Sequence, residues 1–176
     1  MKDINLYKDV LDKPSADYIY QQLLDNHFPW FFLSNSALAG SKDDLTYSWF
    51  HLLYNKRVSN SEWYPLFEPS IKKIIEVFGL KGNLLRARVG LHTSMNKEMI
   101  GNPHVDSDDE HYTILYYLNT SDGDTFFYKD KKPFKTITPL FNSAVMFDGS
   151  LSHSSSKPLK TIRRMVLNIN VDKKCN

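Results

Sequence analysis

The stretch Tyr112-Thr113-Ile114-Leu115-Tyr116-Tyr117-Leu118 decides the fold. It is built almost wholly of β-branched and aromatic residues, which fit a pleated, half-buried surface and lose rotamer freedom in a helix. Similar runs lie on either side. Upstream, Leu84-Leu85-Arg86-Ala87-Arg88-Val89 alternates. Downstream come Asp124-Thr125-Phe126-Phe127-Tyr128 and then residues 136–140, an edge piece because Pro139 cannot donate to a ladder. Ala144-Val145-Met146-Phe147 precedes the turn residues Asp148-Gly149-Ser150, and residues 164–171 alternate again. Lys129-Asp130-Lys131-Lys132 reads as a solvated hairpin tip. Many short strands with turn signals between them predict a sandwich or jelly-roll barrel.

The first half follows a different period. Asp12-Lys13-Pro14-Ser15 is a helix start with Pro in the first turn, and Ile19, Leu23 and Tyr20, Leu24 recur at helical spacing. That helix should end near Asn26, before Pro29. Pro69-Ser70 should open a second helix, with Ile71, Ile74, Ile75 and Phe78 as its apolar stripe and Gly79 at its C-cap. Between them, Phe28-Pro29-Trp30-Phe31-Phe32 and then Trp49, Phe50 and Tyr54 fit a strand plus a covering loop. The expectation is one domain over residues 1–176, mainly β with N-terminal helices: a helical part over about 1–83 and a jelly-roll or cupin-like β-barrel over about 84–172.

Composition narrows the function classes. Lys and Arg number 22 against 20 acids, a net charge of +2, too balanced to predict a nucleic-acid or membrane partner. The single cysteine, Cys175, allows no internal disulfide and fits a reducing compartment. The N-terminus lacks the apolar run of a signal peptide. No stretch reaches the roughly 18 apolar residues of a membrane span. The expected location is cytoplasmic.

Chemistry concentrates at Asn102-Pro103-His104-Val105-Asp106-Ser107. On an extended segment, residues two apart point the same way, so His104 and Asp106 can present an imidazole and a carboxylate to one point. Two histidines and one carboxylate on one face of a metal leave the other face open, the arrangement of non-heme Fe(II) oxygenases. His153, just past Phe147-Asp148-Gly149, is the candidate third ligand. An oxygenase of this kind that uses 2-oxoglutarate needs a fixed cation for the far carboxylate, and arginine suits it because its planar fork bonds carboxylates bidentately. Arg163 and Arg164 open the last strand, and adjacent strand residues face opposite ways. If Arg164 points inward, Val166, Asn168 and Asn170 share its face. Met165, Leu167 and Ile169 then point outward, beneath the N-terminal helices. Arg164 is favoured, with Arg163 as the alternative. A hydroxyl from Tyr116-Tyr117 could bond the same carboxylate, and glycine in Asp122-Gly123-Asp124 permits close backbone approach beside the metal site.

Taken in order, H-x-D, Tyr-Tyr-Leu-Asn, Gly-x-Thr-x-Phe, Phe-Asp-Gly-x-x-x-His and Arg-Met-Val-Leu-Asn-Ile-Asn resemble the prolyl-4-hydroxylase-like branch of the Fe(II)/2-oxoglutarate-dependent oxygenases, over roughly residues 84–171. The resemblance implies a double-stranded β-helix, with His104, Asp106 and His153 as iron ligands and Tyr117 against the distal carboxylate of 2-oxoglutarate. Arg163 and Arg164 both lie about ten residues past His153, as in that branch, and the asparagine six residues after the arginine matches the form in which Arg164 is the binder. It also implies Fe(II) and 2-oxoglutarate as cofactors, O2 as oxidant, ascorbate as reductant, and hydroxylation of a substrate with release of succinate and CO2. A prolyl or other peptidyl residue, or a small molecule, is the implied substrate. Arg88, on one face of its strand with Arg86, is the candidate for substrate contact. Two other readings stand beside this one: a cupin-type metal enzyme that does not use 2-oxoglutarate, and a non-catalytic jelly-roll binding module.

Overall fold

Side-chain alternation sorts the strands into two antiparallel sheets. The computed structural model describes residues 4–34 and 47–173, so Cys175 lies outside the described residues. In chain order the elements are β1 (Ile4–Tyr7), α1 (Lys13–Gln22), β2 (Phe31–Leu33), β3 (Ser48–Asn55), β4 (Val58–Ser59), α2 (Tyr64–Val77), β5 (Leu84–Thr93), β6 (His111–Tyr117), β7 (Thr125–Lys129), β8 (Lys132–Ile137), β9 (Ser143–Asp148), β10 (His153–Ser155) and β11 (Arg163–Asp172). The large sheet runs β1-β9-β6-β11-β5-β3-β2, with β4 paired to β3, and the small sheet runs β10-β7-β8.

The faces of β11 follow the sequence pattern. Met165, Leu167, Ile169 and Val171 enter a core with Ala16 and Ile19 of α1 and Phe67, Ile71 and Ile74 of α2. Ile114 and Tyr116 of β6 join them from the same side of the sheet. Each fully buried Leu or Ile there contributes about 1.5–3 kcal/mol. The opposite face supplies a second, smaller core between the sheets, with Leu115, Tyr117, Val145, Phe147 and Val166 against Phe127 and Ile137. The rest of that inner face is polar and lines a pocket.

Local chemistry explains the element ends. Asp12 caps α1 by accepting from Ser15 N and Ser15 Oγ, with Pro14 in the first turn. The helix stops at Gln22, earlier than the spacing predicts, because the chain tightens: Leu23, Leu24 and Asp25 bond carbonyls three residues back. α2 begins at Tyr64, not at Pro69; Pro65 holds the first-turn position and Pro69 lies inside the helix. Gly79, at φ 67°, closes it as expected: Gly79 N bonds Glu76 O and Leu80 N bonds Ile75 O. Asp130 and Lys131, both at positive φ, make the tight β7–β8 turn. β8 is an edge strand, but Pro133 is the proline within it, and the strand ends before Pro139.

The N-terminal part is less helical than expected. β1 pairs with β9, and β3 pairs with β5, so this segment extends the large sheet at both ends. The aromatic region resolves into β2 and β3, where Phe31, Phe32, Trp49 and Phe50 pair across the strands. Consecutive aromatics hide the two-residue alternation that marks a strand in sequence.

Candidate active site

The two strands that floor the pocket, β5 and β11, are in register. His92 faces Arg164, Gly90 faces Val166, Arg88 faces Asn168 and Arg86 faces Asn170. Across from them the small sheet contributes Thr125, Ser155 and His153, and residues 99–102 contribute a loop.

His104, Asp106 and His153 converge, with one ligand atom from each lying within 4.8 Å of the others. His104 and His153 exchange backbone hydrogen bonds, each 2.9 Å, so the H-x-D segment is fastened to β10. His153 opens the short strand β10. His104 Nδ1 pairs with Asn102 O at 3.0 Å and His153 Nδ1 with Leu151 O at 3.2 Å. Carbonyls accept only, so both Nδ1 atoms carry the proton and both Nε2 lone pairs are free for a metal, the usual outer support of a ligating histidine. Atoms 2.0–2.2 Å from one ion and on one face of it lie about 3 Å apart, so the three side chains draw in when a metal binds. Two imidazoles and a carboxylate suit Fe(II).

The Asp106 carboxylate is 3 % exposed and held on every side. Arg86 Nη2 makes an ion pair with Oδ1 at 2.9 Å. Asn168 Nδ2 donates to both oxygens, at 3.2 and 3.1 Å, and Asn170 Nδ2 and Thr113 Oγ1 donate to Oδ2 at 3.3 and 3.2 Å. Burial alone would raise its pKa; His153, Arg86 and the Asn168 bonds outweigh that and hold the carboxyl well below the usual range. His153 is pulled down to about 4 by burial, against the opposing charge of Asp106, and is therefore neutral and ready to ligate at pH 7.

At the other end of the pocket Arg164 is 4 % exposed. Its Nε donates to Gly123 O at 2.8 Å and its Nη2 to Thr125 Oγ1 at 3.0 Å. A Cβ at Gly123 would lie 2.9 Å from Arg164 Cδ, so this glycine makes room for the arginine and not for the metal. Tyr117 is fully buried behind the pocket wall, and its hydroxyl donates to the same Thr125 Oγ1 at 2.9 Å. Thr125 Oγ1 thus accepts two bonds, and its own proton is left to donate to a ligand. Thr125 is a pocket residue that the sequence reading quoted within a motif but did not single out. Arg163 lies outside the pocket lining, half-buried at the strand end, where its carbonyl accepts from Asn119. Arg88 lines the pocket; Arg86 is the ion-pairing member of that pair. Asn168, Asn170, Thr113, His92 and Lys157 were also missed, and only the two asparagines carried a sequence signal, by sharing the face of Arg164. No described helix is long and apolar enough to cross a membrane.

Residues 90–172 match the family model of the 2OG-Fe(II) oxygenase superfamily. No curated protein sequence matches the chain. Among solved structures, an oxidoreductase of the 2OG-Fe(II) oxygenase family from Burkholderia pseudomallei superposes with a TM-score of 0.74 at 12% identity, covering 98% of this chain and 86% of that one. A Trichoplax adhaerens prolyl hydroxylase, solved with a hypoxia inducible factor peptide fragment, gives 0.70 at 16% identity, covering 97% and 84%. A Pseudomonas putida prolyl-4-hydroxylase gives 0.63 at 11% identity, covering 98% and 94%. These neighbours share the double-stranded β-helix expected from the sequence. Residues 90–172 thus match the 2OG-Fe(II) oxygenase superfamily model, in a chain whose described fold is that of these oxygenases.

Proposed function

We propose that this chain is an Fe(II)- and 2-oxoglutarate-dependent dioxygenase in which His104, Asp106 and His153 hold the iron and Arg164 holds the distal carboxylate of 2-oxoglutarate. The observation that carries this reading is the pairing of two separate devices in one pocket. One end offers three convergent metal ligands, among them a neutral His153 imidazole and an ionised Asp106 carboxylate. The other offers a buried arginine whose remaining N–H groups lie beside a threonine hydroxyl with a free proton. With Fe(II) and 2-oxoglutarate bound, the site supplies O2 activation coupled to release of succinate and CO2.

The roles of this chain's own residues follow from their positions. Asn168, Asn170, Thr113 and Arg86 fix the Asp106 carboxylate so that one oxygen faces the histidines. Tyr117 acts through Thr125: its hydroxyl fills one Thr125 lone pair and turns the threonine proton toward the pocket. The small-sheet wall excludes water from the space between the two ends. The substrate is a C–H bond of a prolyl or other peptidyl residue or of a small molecule. The similar structures include prolyl hydroxylases and an epimerase from nogalamycin biosynthesis, so the fold spans both classes. Ascorbate is the expected reductant, and a reducing, cytoplasmic setting accords with the single cysteine.

The test is uncoupled turnover: the chain with Fe(II), ascorbate and 2-oxoglutarate, with succinate measured. Fe-dependent succinate is expected. Its absence with every metal, alongside 2-oxoglutarate binding no tighter to wild type than to Arg164→Met, would favour a cupin-type enzyme or a binding module instead.

A further inference from the structure

The pocket holds more positive charge than the cosubstrate uses. Arg164 leans toward β7, where it bonds Gly123 and Thr125. Two other cations lean the opposite way, toward β3. The Arg88 guanidinium lies 5.9 Å from the Phe50 ring centroid. The Lys157 Nζ, arriving from beyond the end of β10, stands 3.5 Å from the Tyr47 ring centroid. Lys157 is 5 % exposed, and its Nζ has no hydrogen-bond partner among the described residues. His92 lies between the two groups of cations: it faces Arg164 across the strands, bonds the Ser156 backbone, and leaves Nδ1 without a partner among the described residues. Burial together with Arg164 and Lys157 pulls its pKa down to about 3, so it is neutral and supplies no further charge.

Among the described residues, nothing acidic balances Lys157. No Asp or Glu is among the described residues lining the pocket. Asp106, ion-paired with Arg86, also acts on Arg88, whereas no acid among the described residues acts on Lys157, and Asp124 acts on Arg164. An aromatic face offsets only part of the cost of burying a cation, so both groups gain from an incoming anion. Because Arg88 faces Asn168, which bonds Asp106, it sits toward the metal end, while Lys157 marks the far end.

We propose that the β3 side of the pocket is an anion subsite: the molecule to be oxidised carries a carboxylate or phosphate that pairs with Lys157, with Arg88 as the second cation on its path to the metal. His92 divides this subsite from the one for 2-oxoglutarate. The inference rests on the oxygenase reading, because the cosubstrate is what claims Arg164. It disfavours an uncharged prolyl peptide, which leaves Lys157 without a counter-charge among the described residues.

The test uses the full chain loaded with Mn(II) and saturated with 2-oxoglutarate, titrated calorimetrically with sulfate as the dianion probe. Wild type and Lys157→Arg bind sulfate. Lys157→Met weakens that binding at least tenfold while changing the 2-oxoglutarate dissociation constant less than twofold. Arg88→Gln, expected to weaken sulfate at least threefold, serves if the lysine variant does not fold. Three results overturn the proposal: no sulfate binding by wild type, equal binding by wild type and Lys157→Met, or sulfate binding that vanishes on saturation with 2-oxoglutarate, which would assign Lys157 to the cosubstrate. The oxygenase reading fails separately, if Mn(II)-loaded wild type does not bind 2-oxoglutarate. The sulfate contrast is then read on the Mn(II)-loaded chain alone, with the same outcomes.

Discussion

Arg164→Met compared with Arg163→Met tests which face of the last strand serves the cosubstrate. Arg164 is 4 % exposed and already makes two hydrogen bonds, to Gly123 O and Thr125 Oγ1. Those bonds fix the guanidinium before any ligand arrives, so a carboxylate meets a preorganised donor. Removing one partner of a buried, hydrogen-bonded charge pair costs about 2–5 kcal/mol, so 2-oxoglutarate affinity should fall by roughly 30- to 3,000-fold. Stability should change far less. The variant loses two bonds of about 0.5–1.5 kcal/mol each but also removes a buried cation whose charged form burial already disfavours. Arg163 contributes a backbone carbonyl to Asn119, which substitution leaves in place, so Arg163→Met should alter affinity less than threefold. Isothermal titration of the Mn(II)-loaded proteins with 2-oxoglutarate, beside urea unfolding, separates the two quantities. A larger affinity loss in Arg163→Met, or less than threefold loss in Arg164→Met, refutes the assignment.

Further expectations concern groups around the two ends of the pocket. Asn170→Ala removes a donor from Asp106 Oδ2 and should weaken Mn(II) about 10- to 100-fold with little change in 2-oxoglutarate affinity, read by metal titration. Thr125→Val strands the fully buried Tyr117 hydroxyl and should cost about 1–3 kcal/mol in chemical denaturation; Tyr117→Phe, which removes the donor as well, should cost less. Asp122 accepts from Leu159 N, Lys160 N, Thr161 N and Thr161 Oγ1, tying down the loop between Lys157 and Arg164. Burial would raise its pKa, but these donors outweigh it and hold the carboxyl below its usual value, so its stabilisation is full above the ordinary carboxylate pKa of about 3.9 and is lost as pH falls below it. Asp122→Asn should therefore be less stable than wild type at pH 7, and the gap should narrow below about pH 4 in a urea series.

Most strands, and the shared direction of His104 and Asp106, were readable because their signals are local. Residues two apart on an extended segment share a direction, which linked His104 to Asp106 and put Arg164, Asn168 and Asn170 on one face of β11. What the asparagines hold was not readable, since it depends on β11 lying against β5 and on the H-x-D segment fastening to β10. Tyr117 shows the same limit: its family position was clear, but Thr125 stands between it and the pocket. β3 was hidden by consecutive aromatics, and the start of α2 was misplaced because Pro69, inside the helix, looks the same in sequence as a proline that opens one. Lys157 left no trace in the pattern; its Nζ meets the Tyr47 ring, far away in sequence.

The central claim is that His104, Asp106 and His153 form one Fe(II) site that serves 2-oxoglutarate turnover. It is tested most directly by measuring anaerobic Fe(II) binding, and then succinate formation on admitting O2, for wild type and Asp106→Ala side by side. Wild type is expected to bind about one Fe(II) per chain tightly and to form succinate. Asp106→Ala should keep the far-ultraviolet spectrum of wild type, lose tight Fe(II) binding and form no succinate above the metal-only background. Undiminished Fe(II) binding and succinate formation by a folded Asp106→Ala chain would contradict the account.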